Sequence, residues 1–267
     1  MAAMRRPPAD TAFAMRRVPR RRRGPLAVRT AAVLLGVAVL AALGWWLLTA
    51  DLFAVTRVET GAYRFTDKGE LERALQGLLG RNIWRVGADD ARAALAPLPW
   101  LRDLRLSRRL PGRLAVEFTE WRPLLALEGA DGAGGPAVLV GDGRVLPFPQ
   151  RLPAPGLPVL VGVRVLDEPD GTRRLEPAQL PRVLEVLAAI ESTGLETAVP
   201  VDFVVARAEG FAIVLQEGRG TLLVGREEFA HRLQRYMVGR DHLEPGLEVD
   251  LRFRDKITVR RPDGPQS

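Results

Sequence analysis

Cysteine is absent from all 267 residues, which excludes disulfides, thiol nucleophiles and cysteine-based metal sites. Histidine is nearly absent: His231 and His242 stand alone, and no H-E-x-x-H pair exists. Ser107, Ser192 and Ser267 lack any G-x-S-x-G setting, so no activated serine is visible. Acids are missing before residue 30 except Asp10, and charge of either sign is missing from Thr30 to Ala50. With no covalent staple available, a folded body must be held by its apolar core.

The uncharged run contains Val33, Leu40, Trp45 and Trp46. A helix rises about 1.5 Å per residue, so roughly twenty apolar residues cross the hydrocarbon core. Nine arginines, from Arg5 to Arg29, precede the run and keep the N-terminus cytoplasmic by the positive-inside rule. Trp45 and Trp46 then suit the far interface. A cleavable signal peptide has a shorter apolar stretch and small residues at its end, where this chain carries bulky ones. A buried soluble helix would seldom be apolar on every face. The formal charge of +7 belongs mostly to the tail. Beyond it, 30 of the 39 basic residues face 31 of the 32 acidic ones, so the basicity reflects topology and anionic lipid, and no nucleic-acid partner is expected.

About 215 residues follow, room for one large or two small domains. Val55, Arg57 and Glu59 alternate with Thr56, Val58 and Thr60, an extended segment. Asp67, with Glu70 three residues on, opens a helix as a capping box. Its apolar positions are Leu71, Ala74, Leu75, Leu78 and Leu79, and Gly80 stops it. A second helix starts near Asp89 and ends by Pro97. Strands follow through Leu101, Leu104 and Leu106 and through Leu114, Val116 and Phe118, turning at Pro111-Gly112. The order is β-α-α-β-β, with a core expected around Leu71, Leu75, Leu78, Trp84, Leu95 and Val116.

From Trp121 the pattern is strands: Leu124 to Leu127, Ala137 to Val140, Val145-Leu146 and Val159 to Val163, with a proline-rich connector from Pro147 to Pro158. A helix runs from near Pro177 to Gly194. Strands Val201 to Val205, Phe211 to Leu215 and Thr221 to Val224 come next, then a helix over about 227–238 that buries Phe229, Leu233 and either Tyr236 or Met237. Leu247, Val249, Leu251 and Phe253 alternate with polar residues, a half-buried antiparallel strand. Ile257 and Val259 begin another after a reversal at Arg254-Asp255.

Several features have bland readings. His231 reads as solvated surface rather than a general base. Gly129 to Gly135 opens no helix and reads as a hairpin rather than a phosphate loop. Asp89-Asp90 and Glu227-Glu228 sit at helix starts, where they complement the dipole. Arg108-Arg109 reads as a solvated face, with a partner surface as the alternative. No metal, cofactor or small-molecule substrate is expected. The last strand, Lys256 to Arg260, has no later element to pair with. It is either an open edge for an incoming strand or an edge blunted by Lys256, Arg260 and Arg261.

The chain resembles the bacterial cell-division family FtsQ/DivIB. The residues that carry the likeness are Phe53-Ala54-Val55-Thr56-Arg57-Val58, Gly80-Arg81-Asn82-Ile83-Trp84, Pro99-Trp100-Leu101 with Arg108-Arg109-Leu110-Pro111, Glu120-Trp121-Arg122-Pro123, Gly141-Asp142-Gly143-Arg144-Val145 and Val249-Asp250-Leu251-Arg252. The resemblance implies an α+β protein: a cytoplasmic basic tail (1–29), one transmembrane helix (30–50), a POTRA domain (51–120), a mainly antiparallel β domain with two helices (121–262) and a short tail (263–267). It implies a non-enzymatic scaffold in the inner membrane at the division septum, binding FtsB and FtsL-like proteins and linking them to septal peptidoglycan synthesis, with further division proteins met through the POTRA domain. The last strand, Lys256, Ile257, Thr258, Val259 and Arg260, would receive the FtsB-like partner. Phe253 would hold the aromatic position before the turn, and Arg207 would face an acidic group. An anchored envelope hydrolase and a POTRA-containing assembly factor are the alternatives. The first lacks a nucleophile constellation, and the second needs a transmembrane barrel for which these strands are too short.

Overall fold

The computed structural model describes residues 25–132, 135–254 and 256–261. The arginines from Arg5 to Arg23, the tip of the Gly129–Gly135 hairpin, Asp255 and the 263–267 tail lie outside the described residues. Helix α1 (Pro25–Thr49) has an apolar stretch, Val28–Thr49, no part of which is buried in the protein. That removes the reading as a soluble core helix. Val33, Leu40, Trp45 and Trp46 all point outward from it.

After a short 3₁₀ turn come β1 (Arg57–Thr60), α2 (Lys68–Gln76), α3 (Ala88–Leu95), β2 (Leu101–Arg109) and β3 (Arg113–Glu120). The sheet order is β1-β3-β2, with β1 parallel and β2 antiparallel to β3. The Asp67 side chain accepts from the Glu70 amide at 3.1 Å, so Asp67 is the N-cap the sequence indicates, but the Glu70 side chain does not return the contact that would complete a capping box. Leu71, Leu75, Leu78, Ile83, Leu95, Leu114 and Val116 fill the core.

Two expectations change here. Helix α2 stops at Gln76 and Gly77 caps it, so Leu79 lies in the following turn, 44% exposed. Trp84 is 41% exposed, and Ile83 takes its place in the core. Asn82 is bridged to Ala54, its side-chain oxygen accepts from the Trp84 amide (3.0 Å) and its carbonyl from the Arg85 amide (2.9 Å), so residues 83–85 form a tight turn. In that turn Ile83 faces the core and Trp84 faces out. Arg108 and Arg109 are exposed, as a solvated face would have it, but neither is idle: the Arg108 guanidinium donates to the carbonyls of Ile83 (2.9 Å) and Val86 (2.8 Å), and Arg109 pairs with Glu59 at 3.2 Å.

The second sheet holds β4 (Pro123–Gly132), β5 (Gly135–Val140), β6 (Arg144–Pro147), β7 (Val159–Val161), β8 (Val165–Asp167), β9 (Arg173–Leu175), β10 (Val201–Arg207), β11 (Gly210–Leu215), β12 (Gly220–Gly225), β13 (Leu247–Asp250) and β14 (Thr258–Arg260). Its helices are α4 (Leu180–Thr193), the single-turn α5 (Leu195–Ala198) and α6 (Phe229–Gly239). The strand order is β14-β13-β12-β11-β10-β7-β4-β5-β6-β9-β8. Most pairings are antiparallel. The exceptions are β4 with β7, β7 with β10, and β12 with β13, so the Leu247 strand is antiparallel to one neighbour only. Phe229, Leu233 and Tyr236 of α6 join Val183, Val186 and Ile190 of α4 in one core against the sheet, and Met237 is only partly buried.

Alternation along β5 places Leu139 in that core and Val138 and Val140 on the opposite face. There they meet Trp100 and Phe148, and Phe65 stacks on Trp100 with centroids 4.6 Å apart. The carboxylate of Glu120, at the end of β3, accepts from the amides of Arg64 (2.6 Å) and Thr66 (2.7 Å) and from the Thr66 hydroxyl (2.6 Å). Arg151 of the proline-rich connector donates to the carbonyls of Arg64 and Thr66, both at 2.8 Å, which ties the two sheets through one loop.

Burial pushes the Glu120 carboxyl up, but the Thr66 hydroxyl and the amides of Arg64, Phe65 and Thr66 together outweigh it and hold the pKa below the ordinary glutamate range. A depressed folded pKa stabilises fully above the unfolded value of about 4.3 and less as pH falls through the folded one. Glu120→Gln should therefore cost about 1–3 kcal/mol at neutral pH. Thermal melts should show the gap between parent and variant closing in acid. A gap constant across that range would mean the carboxylate's charge is not what holds the loop.

Candidate functional site

Strand β14 ends the second sheet. It pairs on one side with β13, in the register Val249↔Val259 and Asp250↔Thr258, and among the described residues the strand order gives it no neighbour on the other. A strand so placed presents unpaired amides and carbonyls along its free side. It is shorter than the sequence indicates: Lys256 and Ile257 precede it, and only Thr258, Val259 and Arg260 are in the strand. Val259 and Arg260 are exposed, and Thr258 is half-buried.

Phe253 also differs from expectation. Strand β13 stops at Asp250, Leu251 is the last buried residue of the alternation, and Phe253 is 47% exposed in the bend that follows. The bend has an identifiable cause. Arg235 of α6 donates from one nitrogen to the Phe253 carbonyl (2.8 Å) and from another to the Lys256 carbonyl (3.0 Å), so one guanidinium spans the reversal. The Lys256 ammonium lies 4.8 Å from the centre of the Phe253 ring, a cation–π contact. Arg254 reaches Glu228 at 3.4 Å on the far side. Ile257 packs partly into the main core against α6, which anchors the chain just before β14 begins.

Behind the bend, Asp250 is buried and receives Arg252 at 2.6 and 2.9 Å. The Arg252 hydrogen bond outweighs burial and holds the Asp250 carboxyl below its ordinary range. Arg232 is 7% exposed, donates to the Val224 carbonyl at 2.7 Å and stands 3.7 Å from Glu228. These arginines fix the geometry of the edge, and none was expected as a site residue. Arg232 did leave a signal, since it falls inside the Phe229-Leu233-Tyr236 stripe, where a charge must be partnered. Arg235 left none.

Arg207 is exposed at the end of β10, opposite Gly210. Residues Phe211↔Gly225, Leu223↔Asp250 and Asp250↔Thr258 put that end of β10 at the same end of the sheet as Phe253 and Lys256. Arg207 does not meet them. Four strand spacings of about 4.8 Å separate β10 from β14, roughly 19 Å. A ligand that reaches both must run across the ends of the intervening strands. Arg207 lies instead beside Arg182 and Arg226 in a shallow polar cavity, where Arg182 donates to the Arg226 carbonyl at 2.7 Å and Arg226 to the Ala208 carbonyl.

His231 is exposed on α6. Among the described residues no group of three or more histidines and acids is arranged to hold a metal.

Residues 53–121 match the family described as "POTRA domain, FtsQ-type". Over 195 residues the chain is 32% identical to the cell division protein FtsQ of Myxococcus fulvus, covering 67% of this chain and 69% of that relative. It is 29% identical over 272 residues to FtsQ of Rhodothermus marinus, with 97% of each chain covered. Against FtsQ of Koribacter versatilis the identity is 27% over 284 residues, covering 96% of this chain and 79% of the relative.

Proposed function

This chain belongs to the FtsQ family of cell division proteins, and from that membership we propose a non-enzymatic scaffold whose free edge strand β14 receives a strand of an FtsB-like partner, itself paired with an FtsL-like protein. The observation that carries the reading is β14 itself: a terminal strand with one side open and its approach pinned by Arg235. Backbone pairing would supply affinity, and exposed Phe253 and Val259 would select the incoming side chains. Through this contact the scaffold would link early division proteins to septal peptidoglycan synthesis.

The proposed layout is a cytoplasmic tail (1–29), an inner-membrane anchor (30–50), a POTRA domain (51–120) that meets further division proteins, a β domain (121–262) outside the cytoplasmic membrane and a short tail (263–267). The protein would concentrate at the septum. A periplasm-dependent reporter fused after Ser267 should be active, and a mature N-terminus near Asp51 would contradict the anchor.

Binding of the purified chain to the partner's extracytoplasmic segment tests the function. Phe253→Ala should weaken capture by roughly 1–3 kcal/mol if the exposed ring is an interface anchor. Arg207→Glu should weaken it more at low salt than at high, because an exposed charge acts within a screening length of about 8–10 Å. Parent-like binding by Phe253→Ala would remove the aromatic from the interface.

A further inference from the structure

The anchor and the first sheet are not joined by a loose linker. The Asn82 side-chain amide donates to the Leu47 carbonyl at 3.0 Å, within the last turn of α1. That carbonyl is one of the four a helix leaves without an intrahelical partner, and an unpaired one near hydrocarbon is costly. The Ile83 amide donates to Phe53 O (2.8 Å), the Gly80 amide to Val55 O (2.9 Å), and the Thr56 amide to Gly112 O (2.8 Å). The loop around Trp84 and the β2–β3 turn are thus fastened to the first residues after the helix.

Two surface features coincide at this end. Outside α1, eight large apolar side chains are exposed among the described residues, and Leu52, Leu79, Trp84 and Leu110 are four of them. Leu52 is 62% and Leu110 55% exposed. An aromatic series leads to them from the anchor: Trp46 to Phe53 and Phe53 to Trp84 each have centroids 6.1 Å apart. The first rung of the sheet sets Arg57, Arg113 and Arg109 side by side across three strands. Arg109 has Glu59, but Arg57 and Arg113 are exposed neighbours of like charge, an arrangement that is unfavourable until an anion is shared.

We infer that this end of the first sheet docks on the outer leaflet of the bilayer that α1 crosses, with Leu52, Trp84 and Leu110 in the interfacial zone and Arg57 and Arg113 on lipid phosphates. The inference rests on the anchor reading above. Trp side chains favour that depth, and arginine suits phosphate bidentately. Docking would fix the tilt of the exported part and so the height at which β14 meets a membrane-anchored partner.

The natural lack of cysteine allows a clean test. The full chain, with single cysteines at Leu52, Leu110, Leu40 or Leu166, is labelled with a small fluorophore and placed in phosphatidylethanolamine–phosphatidylglycerol vesicles with brominated acyl chains. Labels at Leu52 and Leu110 should lose most of their emission, as at Leu40 in α1, while Leu166 on the distant edge strand β8 keeps its own. Arg57→Glu with Arg113→Glu should restore emission at Leu110. If Leu110 stays as bright as Leu166 while Leu40 is quenched, docking is wrong and the anchor stands. If Leu40 also stays bright, α1 is not in the bilayer and both readings fall. Shielding at Leu110 that follows protein density and ignores bromination would mean that a second copy covers the surface, which overturns lipid docking. Unchanged quenching in the double arginine variant would overturn the phosphate contact.

Discussion

Thr258→Pro is expected to abolish partner capture and block division while the protein accumulates in the membrane as the parent does. Strand β14 has three residues, so the loss of one amide disrupts much of its pairing. Successive amides in a strand point to opposite sides, so of Thr258 and Val259 one faces β13 and the other faces outward. Val259→Pro should therefore fail alongside Thr258→Pro, and truncation after Arg254 should remove the site altogether. Two or three lost bonds at about 1 kcal/mol each, with a partner group left unsatisfied at about 1–2 kcal/mol, amount to about 3–5 kcal/mol. That is a few hundredfold or more in affinity. The fold should survive, because β13 stays paired with β12 and Val249 and Leu251 remain in the core. Division assays with membrane abundance and circular dichroism separate the two effects, and a folded Thr258→Pro chain that divides normally would rule the edge out.

Phe229→Ala should cost about 3–5 kcal/mol, the range for an aromatic cavity in a packed core. Phe229 is the first residue of α6, fully buried and edge-on to Phe211 with centroids 5.8 Å apart. Two turns later the same helix carries Arg235, which holds both carbonyls of the Phe253–Lys256 reversal. Loosening α6 should thus lower the melting temperature by roughly 10 °C and also weaken partner capture, although Phe229 is far from the surface. Val238→Ala on the same helix is the control: Val238 is 74% exposed, and surface changes usually stay within about 0.5 kcal/mol. Equal melts for the two variants would show that α6 is not seated by Phe229.

Local chemistry was legible where a side chain acts on its own neighbourhood. The uncharged run, the Asp67 cap and the alternation through Leu247, Val249 and Leu251 all correspond to features of the fold. Partners far apart in sequence were not legible. Alternation tells which face a residue takes but not which strand lies beside it, so the parallel pairings of β4, β7 and β10 and of β12 and β13 could not be read. The three-residue strands β8 and β9 are too short to leave a period. Arg108, Arg235 and Glu120 look like surface charges in the sequence, yet each holds backbone groups 20 or so to more than 50 residues away. Phe253 continued an alternation that Arg235 breaks. Trp84 looks like core by its size, but in the turn over residues 83–85 it is Ile83 that faces inward.

Hydrogen exchange across residues 256–261, in the full chain with and without the partner's extracytoplasmic segment, tests the edge-strand mechanism most directly. Pairing with an incoming strand predicts marked slowing over Thr258–Arg260 when the partner is bound and no change over β8, the sheet's other free edge. A complex that forms with exchange over Thr258–Arg260 unaltered would contradict it.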